Sequence, residues 1–170
     1  YAGPEIRSDV QITTTAAAEF SYAFTSTVSP LYDQAIRDQI EATAASFGNP
    51  ALHMVCADSG ALPFVWAGRL TAAFSLALEV QLAPTPLSEA SPLGLRRTRL
   101  YVPGNTPKLI PNAALYMPDS IVLDLEESVH PDHKTEALCM VSAAVQSLDW
   151  HSVELMVRVN SGEQGQRDMT

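Results

Sequence analysis

Three short stretches of this chain collect polar side chains where apolar runs stop. Tyr101-Val102-Pro103-Gly104-Asn105 closes one run, Asp124-Leu125-Glu126-Glu127 a second, and Arg158-Val159-Asn160-Ser161 a third. Carboxylates and an arginine at the ends of apolar segments are costly to keep unless they pair or bind something. Carboxylate oxygens are hard ligands that hold Mg²⁺ and its waters. A planar guanidinium grips a substrate carboxylate through two parallel hydrogen bonds. That mixture suits a dicarboxylate or an α-keto acid. A structural ion pair at the rim of a sheet explains the same residue types without any ligand. The residue types alone leave both readings open.

The elements that must position these side chains follow from periodicity. Residues 99–102 predict a strand ending at Pro103-Gly104, and 106–116 a helix that Pro111 weakens. The nearly continuous apolar run 120–125 (SIVLDL) predicts a buried strand. Residues 132–148 predict a helix with Ala137, Val141, Ala144, Val145 and Leu148 on its apolar side, and 154–159 a third strand. Strands buried on both faces and alternating with helices imply parallel pairing and α/β architecture. In α/β barrels the working residues stand where strands end at the C-terminal face, which is where the polar stretches fall. Alternation would place Asp124 and Glu126 on one face and Leu125 on the other.

The first part of the chain has a different rhythm. Residues 10–15 (VQITTT) and 19–25 (EFSYAFT) predict strands. Ser29-Pro30 opens a helix whose apolar face is Leu31, Ala35, Ile36, Ile40, Ala44 and Phe47, ending at Gly48 before Pro50. A short strand at 51–57, a turn at Asp58-Ser59-Gly60 and a helix at about 68–80 complete a small α+β unit. Pro84, Pro86 and Pro92 then break periodicity. The expected organisation is a domain at 1–80, a linker at 81–95 and a second domain at 96–170.

Bulk properties narrow the function classes. Hydrophobic residues make up 46% of the 170 and charged residues 17%, enough apolar content to bury a core. The formal net charge of -9 repels phosphate backbones and anionic lipids, so neither nucleic acid nor a membrane surface is an expected partner. Arg96, Arg97 and Arg99 run against that average and read as a solvated junction. Cys56 and Cys139 fit no redox or metal spacing and read as buried thiols, which favours a reducing, cytoplasmic setting. His130-Pro131-Asp132-His133 reads as a helix-start loop rather than a metal site. Trp66 and Trp150 read as packing residues. The chain reads as a piece of a longer polypeptide.

Residues 97–105 (RTRLYVPGN), 119–129 (DSIVLDLEESV), Lys134 and Arg158-Val159-Asn160 resemble the start of the citrate lyase β-subunit family, the HpcH/HpaI aldolases, with its malyl-CoA and citramalyl-CoA lyase relatives. The resemblance implies the first strands and helices of a (β/α)₈ TIM barrel, short of a complete one. It implies a carbon–carbon lyase that cleaves a citryl (hydroxyacyl) thioester, with Mg²⁺, to an oxaloacetate-like keto acid and an acetyl thioester. By position, Tyr101 and Lys108 resemble residues lining the thioester site, Asp124 and Glu126 an acidic pair near the metal, and Arg158 the arginine that holds the substrate. Asp124, Glu126 and Arg158 are thus the implied catalytic set. The family's direct metal ligands fall beyond this chain, Glu126 being at most in the second shell, so this segment alone is expected to be inactive. The chain departs from the pattern at Glu127, where the family usually has Asp, and at Leu138, where Arg is common.

Asp58-Ser59-Gly60-Ala61-Leu62, Arg69, Ala72-Ala73 and Ser26-Thr27-Val28, with residues 2–10 before them, resemble the acyl-carrier (γ) subunit of citrate lyase. The carrier of malonate decarboxylase has a similar pattern, towards which Pro63 leans. In such carriers a serine bears a phosphoribosyl-dephospho-CoA group. Ser8 is the candidate, one residue out of the usual register before Asp9. The resemblance further implies a transferase-type partner subunit and an oligomer. Two other readings remain: a lyase acting on free malyl-CoA or citramalyl-CoA, and a non-catalytic carrier or assembly module.

Overall fold

A computed structural model describes residues 7–81 and 94–169. They fall into two compact units that divide between Val80 and Gln81. Most of the linker expected at 81–95, and the segment before Arg7, lie outside the described residues.

The first unit is a small α+β layer. Strands β1 (Val10–Ala16), β2 (Ser21–Ser26) and β3 (Leu52–Asp58) form a sheet in the order β1-β3-β2. β3 is antiparallel to β1 and parallel to β2. Strict alternation buries Val10 and Ile12 from β1 and Met54, Cys56 and Asp58 from β3 on one face. Helices α1 (Ser29–Ser46) and α2 (Pro63–Leu78) supply the other half of this core. Ile36, Ile40 and Ala44 come from α1; Phe64, Val65, Trp66, Leu70 and Phe74 come from α2. Burial pushes the Cys56 thiol up to about 12, so it packs as an inert small hydrophobe.

Two sequence expectations for this unit need correction. α2 starts at Pro63 rather than near residue 68, because Leu62 is extended and Pro63 sits in the first helical turn, where its missing N–H costs nothing. Ser29 does not cap α1: Val28 holds that position, and the Ser29 hydroxyl instead donates to Asp33 Oδ1 at 2.7 Å.

The second unit is α/β. Strands β4 (Arg99–Pro103), β5 (Ser120–Asp124) and β6 (Glu154–Arg158) lie in the order β4-β5-β6, all parallel. β5 is central and buried along its whole length, as the apolar run demanded. The helix expected at 106–116 is only a 3-10 helix, Ile110–Tyr116. Pro111 has no N–H to donate and would clash with a preceding carbonyl of a longer helix, so helix can begin only where Pro111 falls in the first turn. A 3-10 turn at Pro131–His133 leads into α3 (Lys134–Ser147), which buries Ala137, Cys139, Met140, Val141 and Ala144. A last helix, α4 (Gly162–Asp168), was not anticipated. Its glycines argue against helix, yet Gly165 is needed: a Cβ there would stand 1.8 Å from the Asn160 carbonyl oxygen.

The register aligns Pro103, Asp124 and Arg158 at one end of this sheet. Close approach at that end depends on Gly104, whose N–H donates to the Asp124 carbonyl at 2.9 Å. A Cβ on Gly104 would lie 2.8 Å from Val141 Cγ2 and 3.0 Å from the Asp124 carbonyl oxygen. Gly104→Ala should therefore destabilise this unit by about 1–3 kcal/mol through overpacking. Chemical denaturation checks it; an unchanged midpoint would argue against the tight approach of β4, β5 and α3.

Candidate active site

The polar cluster forms where the chain leaves the three parallel strands. Arg158 is the last residue of β6 and Asp124 the last of β5. Being register partners, they point to the same side of the sheet. Their side chains meet in a bidentate pair: Arg158 Nε donates to Asp124 Oδ1 and Nη2 donates to Oδ2, each at 2.7 Å. Asp124 is only 3% exposed, and its carboxylate also accepts the backbone N–H of Glu126 at 2.8 Å and of Ser128 at 3.1 Å. Hydrogen bonds from Arg158 hold the Asp124 carboxyl far below the usual carboxylate range, against the upward push of burial. The same contact raises Arg158 further above its ordinary value.

Past Asp124 the chain turns, and this overturns one expectation. Asp124 and Glu126 do not share a strand face, because β5 ends at Asp124 and Glu126 lies in the following turn. The Asp124 carboxylate itself ends the strand by capturing the N–H groups of residues 126 and 128. Glu126 still lies near the arginine, its Oε2 3.6 Å from Arg158 Nε. Glu127, 80% exposed, accepts from Arg158 Nη1 at 3.1 Å. Lys134, at the start of α3, donates its ammonium to the carbonyl of Leu125 at 2.6 Å and also to that of Glu126. The turn is thus held from the strand side by Asp124 and from the helix side by Lys134.

Tyr101 completes the cluster. It is two residues before the end of β4, on the same face as Asp124 and Arg158, with its ring centroid 5.4 Å from the Arg158 guanidinium carbon. Half of Tyr101 is exposed, so the ring forms an open wall beside the arginine. Lys108 is not brought in. It is exposed before the 3-10 helix, and its carbonyl accepts from Asn112 Nδ2 at 3.3 Å. Beyond Arg158, Asp168 of α4 accepts from Asn160 N at 2.9 Å and Nδ2 at 2.6 Å, tying down the chain that follows β6.

No three His, Cys, Asp or Glu side chains among the described residues form a group that could hold a metal ion. Asp124 is saturated by Arg158 and backbone donors, and Glu127 is engaged with the guanidinium. These residues therefore do not make a Mg²⁺ site by themselves. His130 and His133 interact locally, His133 Nδ1 lying 3.2 Å from Glu136 Oε2.

At the opposite end of the strands two arginines of the run, Arg96 and Arg97, are ion-paired rather than merely solvated. Arg96 bonds Glu154, and Arg97 Nη2 donates to Asp119 Oδ1 at 2.9 Å. Asp119 also accepts the Thr98 N–H at 2.8 Å, and these bonds, Arg97 first, hold its carboxyl well below the usual range. Sequence order hid this pairing, since parallel register is what sets Arg99 and Glu154 level with each other at one end of the sheet, on either side of Ser120.

Ser8 belongs to the first unit. It is half-buried, with φ of 68°, and its N–H donates to the Ser59 carbonyl at 2.9 Å. Its neighbour Asp9 forms a bidentate pair with Arg69, at 3.0 and 2.9 Å. Asp58 accepts from Ser26 Oγ at 2.5 Å and from the Ala61 N–H at 2.7 Å, and the Ser59 N–H donates to the Asp9 carbonyl at 2.9 Å, so the Asp58-Ser59-Gly60 turn and the Ser8 turn are built against each other.

Two stretches of the chain match family models. Residues 1–77 match the family model for the malonate decarboxylase delta subunit (MdcD), the second of the two carriers that the sequence resembles. Residues 97–169 match the family model HpcH/HpaI aldolase/citrate lyase. Over 66 residues, 39% of this chain and 22% of the relative, it is 44% identical to the citrate lyase subunit beta of Leuconostoc mesenteroides subsp. cremoris. Over 74 residues, 44% of the chain and 23% of the relative, it is 40% identical to the L-malyl-CoA/beta-methylmalyl-CoA lyase of Cereibacter sphaeroides. The citrate lyase subunit beta of Haemophilus influenzae is 41% identical over 66 residues, 39% of the chain and 23% of the relative. The chain spans under a quarter of the length of these relatives. No described helix is long and apolar enough to cross a membrane.

The depressed Asp124 carboxyl makes a pH prediction. A carboxylate whose folded value lies below its unfolded one stabilises the fold fully above the unfolded value, about pH 3.9, and less as pH falls toward the folded one. Asp124→Asn should lower the melting temperature near pH 7 by on the order of 5–10 °C. Its stability should also fall less than that of the wild type as pH drops below 4. Thermal melts across pH 2–7 check both; parallel curves would mean that another group carries the acid sensitivity.

Proposed function

We propose that this chain carries the opening strands and helices of a (β/α)₈ lyase barrel, fused to its own acyl carrier. The reaction is Mg²⁺-dependent cleavage of a citryl-type hydroxyacyl thioester into an oxaloacetate-like keto acid and an acetyl thioester. The carrying observation is the Arg158 guanidinium, fixed on its inner edge by buried Asp124 and set beside an open tyrosine ring. An arginine so held keeps its outer edge, Nη1 and the second N–H of Nη2, at a fixed angle for a ligand carboxylate or carbonyl. Arg158 would bind and orient the keto-acid fragment and stabilise the charge that grows on it as the bond breaks. Asp124 and Lys134 would act through position, holding the guanidinium and the 125–128 turn. The metal ligands would lie outside the described residues, with Glu126 reaching the ion at most through water.

Ser8 is proposed to bear a phosphoribosyl-dephospho-CoA arm, a reading supported by the carrier-type match over residues 1–77. A tethered carrier offers its thioester to the lyase site at high effective concentration. A transferase subunit, an oligomeric assembly and a cytoplasmic setting belong to the same proposal. The similarity to a lyase named for CoA thioesters supports a second reading, in which free malyl-CoA or citramalyl-CoA is the substrate.

Two experiments on the intact polypeptide test this. Arg158→Lys keeps the charge but loses the fork that binds both Asp124 and ligand. Turnover should fall on the order of tenfold to a thousandfold, with some loss of stability because Asp124 is left partly unpaired. Normal turnover in a destabilised variant would make Arg158 a structural residue only. Intact-mass measurement of protein matured in its native host should show an adduct that Ser8→Ala removes; an adduct that persists places the arm elsewhere. Activity on free CoA thioesters without any adduct would favour the second reading.

A further inference from the structure

Arg158 has two edges, and in this structure both are occupied by the chain's own carboxylates. The inner edge, Nε with Nη2, is taken by Asp124 at 2.7 Å on both atoms. Asp124 is buried and receives two backbone N–H groups besides, so no ligand can displace it without opening the turn. The outer edge is different. Its carboxylate among the described residues is Glu127, which accepts from Nη1 through a single bond of 3.1 Å and is 80% exposed. Glu126 stands at 3.6 Å from Nε, beyond hydrogen-bond distance, and does not contest the outer edge.

We propose that Glu127 is a displaceable internal carboxylate that occupies the ligand-facing edge of Arg158 and tunes the affinity of this site for carboxylate substrates. This rests on the reading of Arg158 as a carboxylate-binding group. A guanidinium edge accepts one carboxylate fork at a time, so an incoming keto-acid carboxylate that forks onto Nη1 and Nη2 competes with Glu127 for Nη1. Exposure makes that exchange easy: an exposed ion pair is weak and salt-screened, and Glu127 lies on a turn whose backbone is held by the Asp124 carboxylate and by Lys134. Glu127 therefore acts as a competitor for weakly binding anions, one that a ligand making further contacts with the site can outbid. A second effect has the same sign. With Asp124, Glu126 and Glu127 around one guanidinium, the cluster carries net negative charge, which disfavours dianions until Glu127 moves away.

Equilibrium binding of oxaloacetate to the intact protein, followed by titration calorimetry, tests the proposal. Glu127→Gln removes the competing charge and keeps the side-chain size. It should tighten binding by about two- to fivefold, the range a weak exposed pair supports, and the gain should shrink at high salt. Glu127→Ala should act in the same direction. Asp149→Asn makes the same change in net charge at an exposed site before β6, at the other end of the strands, and should leave affinity unchanged. The proposal is overturned if Glu127→Gln binds oxaloacetate no more tightly than wild type while Arg158→Lys weakens binding, and equally if Asp149→Asn reproduces the gain. If Arg158→Lys binds like wild type, the underlying assignment of Arg158 fails first.

Discussion

The bidentate pair between Asp124 and Arg158 organises this end of the second unit. It joins the last residues of two neighbouring strands, buries one carboxylate and orients the one guanidinium of the cluster. The same carboxylate turns the chain out of β5 by accepting the N–H groups of Glu126 and Ser128. A buried pair of this kind adds little net stability, but removing one partner strands a charge. Its value lies in geometry: strand ends, turn and arginine are set by one group.

That geometry reconciles two readings that residue types left open. A structural ion pair and a ligand-binding arginine look like alternatives, yet a guanidinium has enough donors for both. The inner edge serves the fold, and the outer edge carries the exposed Glu127. The supporting contacts are backbone-directed, with Lys134 holding the carbonyls of Leu125 and Glu126, and Gly104 admitting the Asp124 carbonyl and Val141 at distances no side chain would allow. Each of these residues acts on the position of Arg158 or its turn rather than on a ligand.

The first unit shows the same economy on a smaller scale. Asp9 with Arg69, and Asp58 with Ser26 and the Ala61 N–H, pin the ends of β1 and β3. Ser8 takes a positive φ where its N–H meets Ser59, which is uncommon for a residue with a side chain. A Ser8 so placed has its backbone held by the sheet end.

Much of this was legible before any coordinates. Strand type followed from the apolar run SIVLDL, and parallel pairing from its alternation with helices, because buried strands joined by crossovers leave few other arrangements. The polar residues at strand ends were visible for the same reason. The sequence could not show which carboxylate would take which edge of Arg158, that Arg96 would find Glu154, that Lys108 would stay outside the cluster, or that α4 would form around Gly165 against Asn160. Periodicity reports which side of an element is buried, a property of neighbours along the chain. Ion-pair choice depends on parallel register and on where a strand ends, and those were decided when residues more than thirty positions apart came into contact.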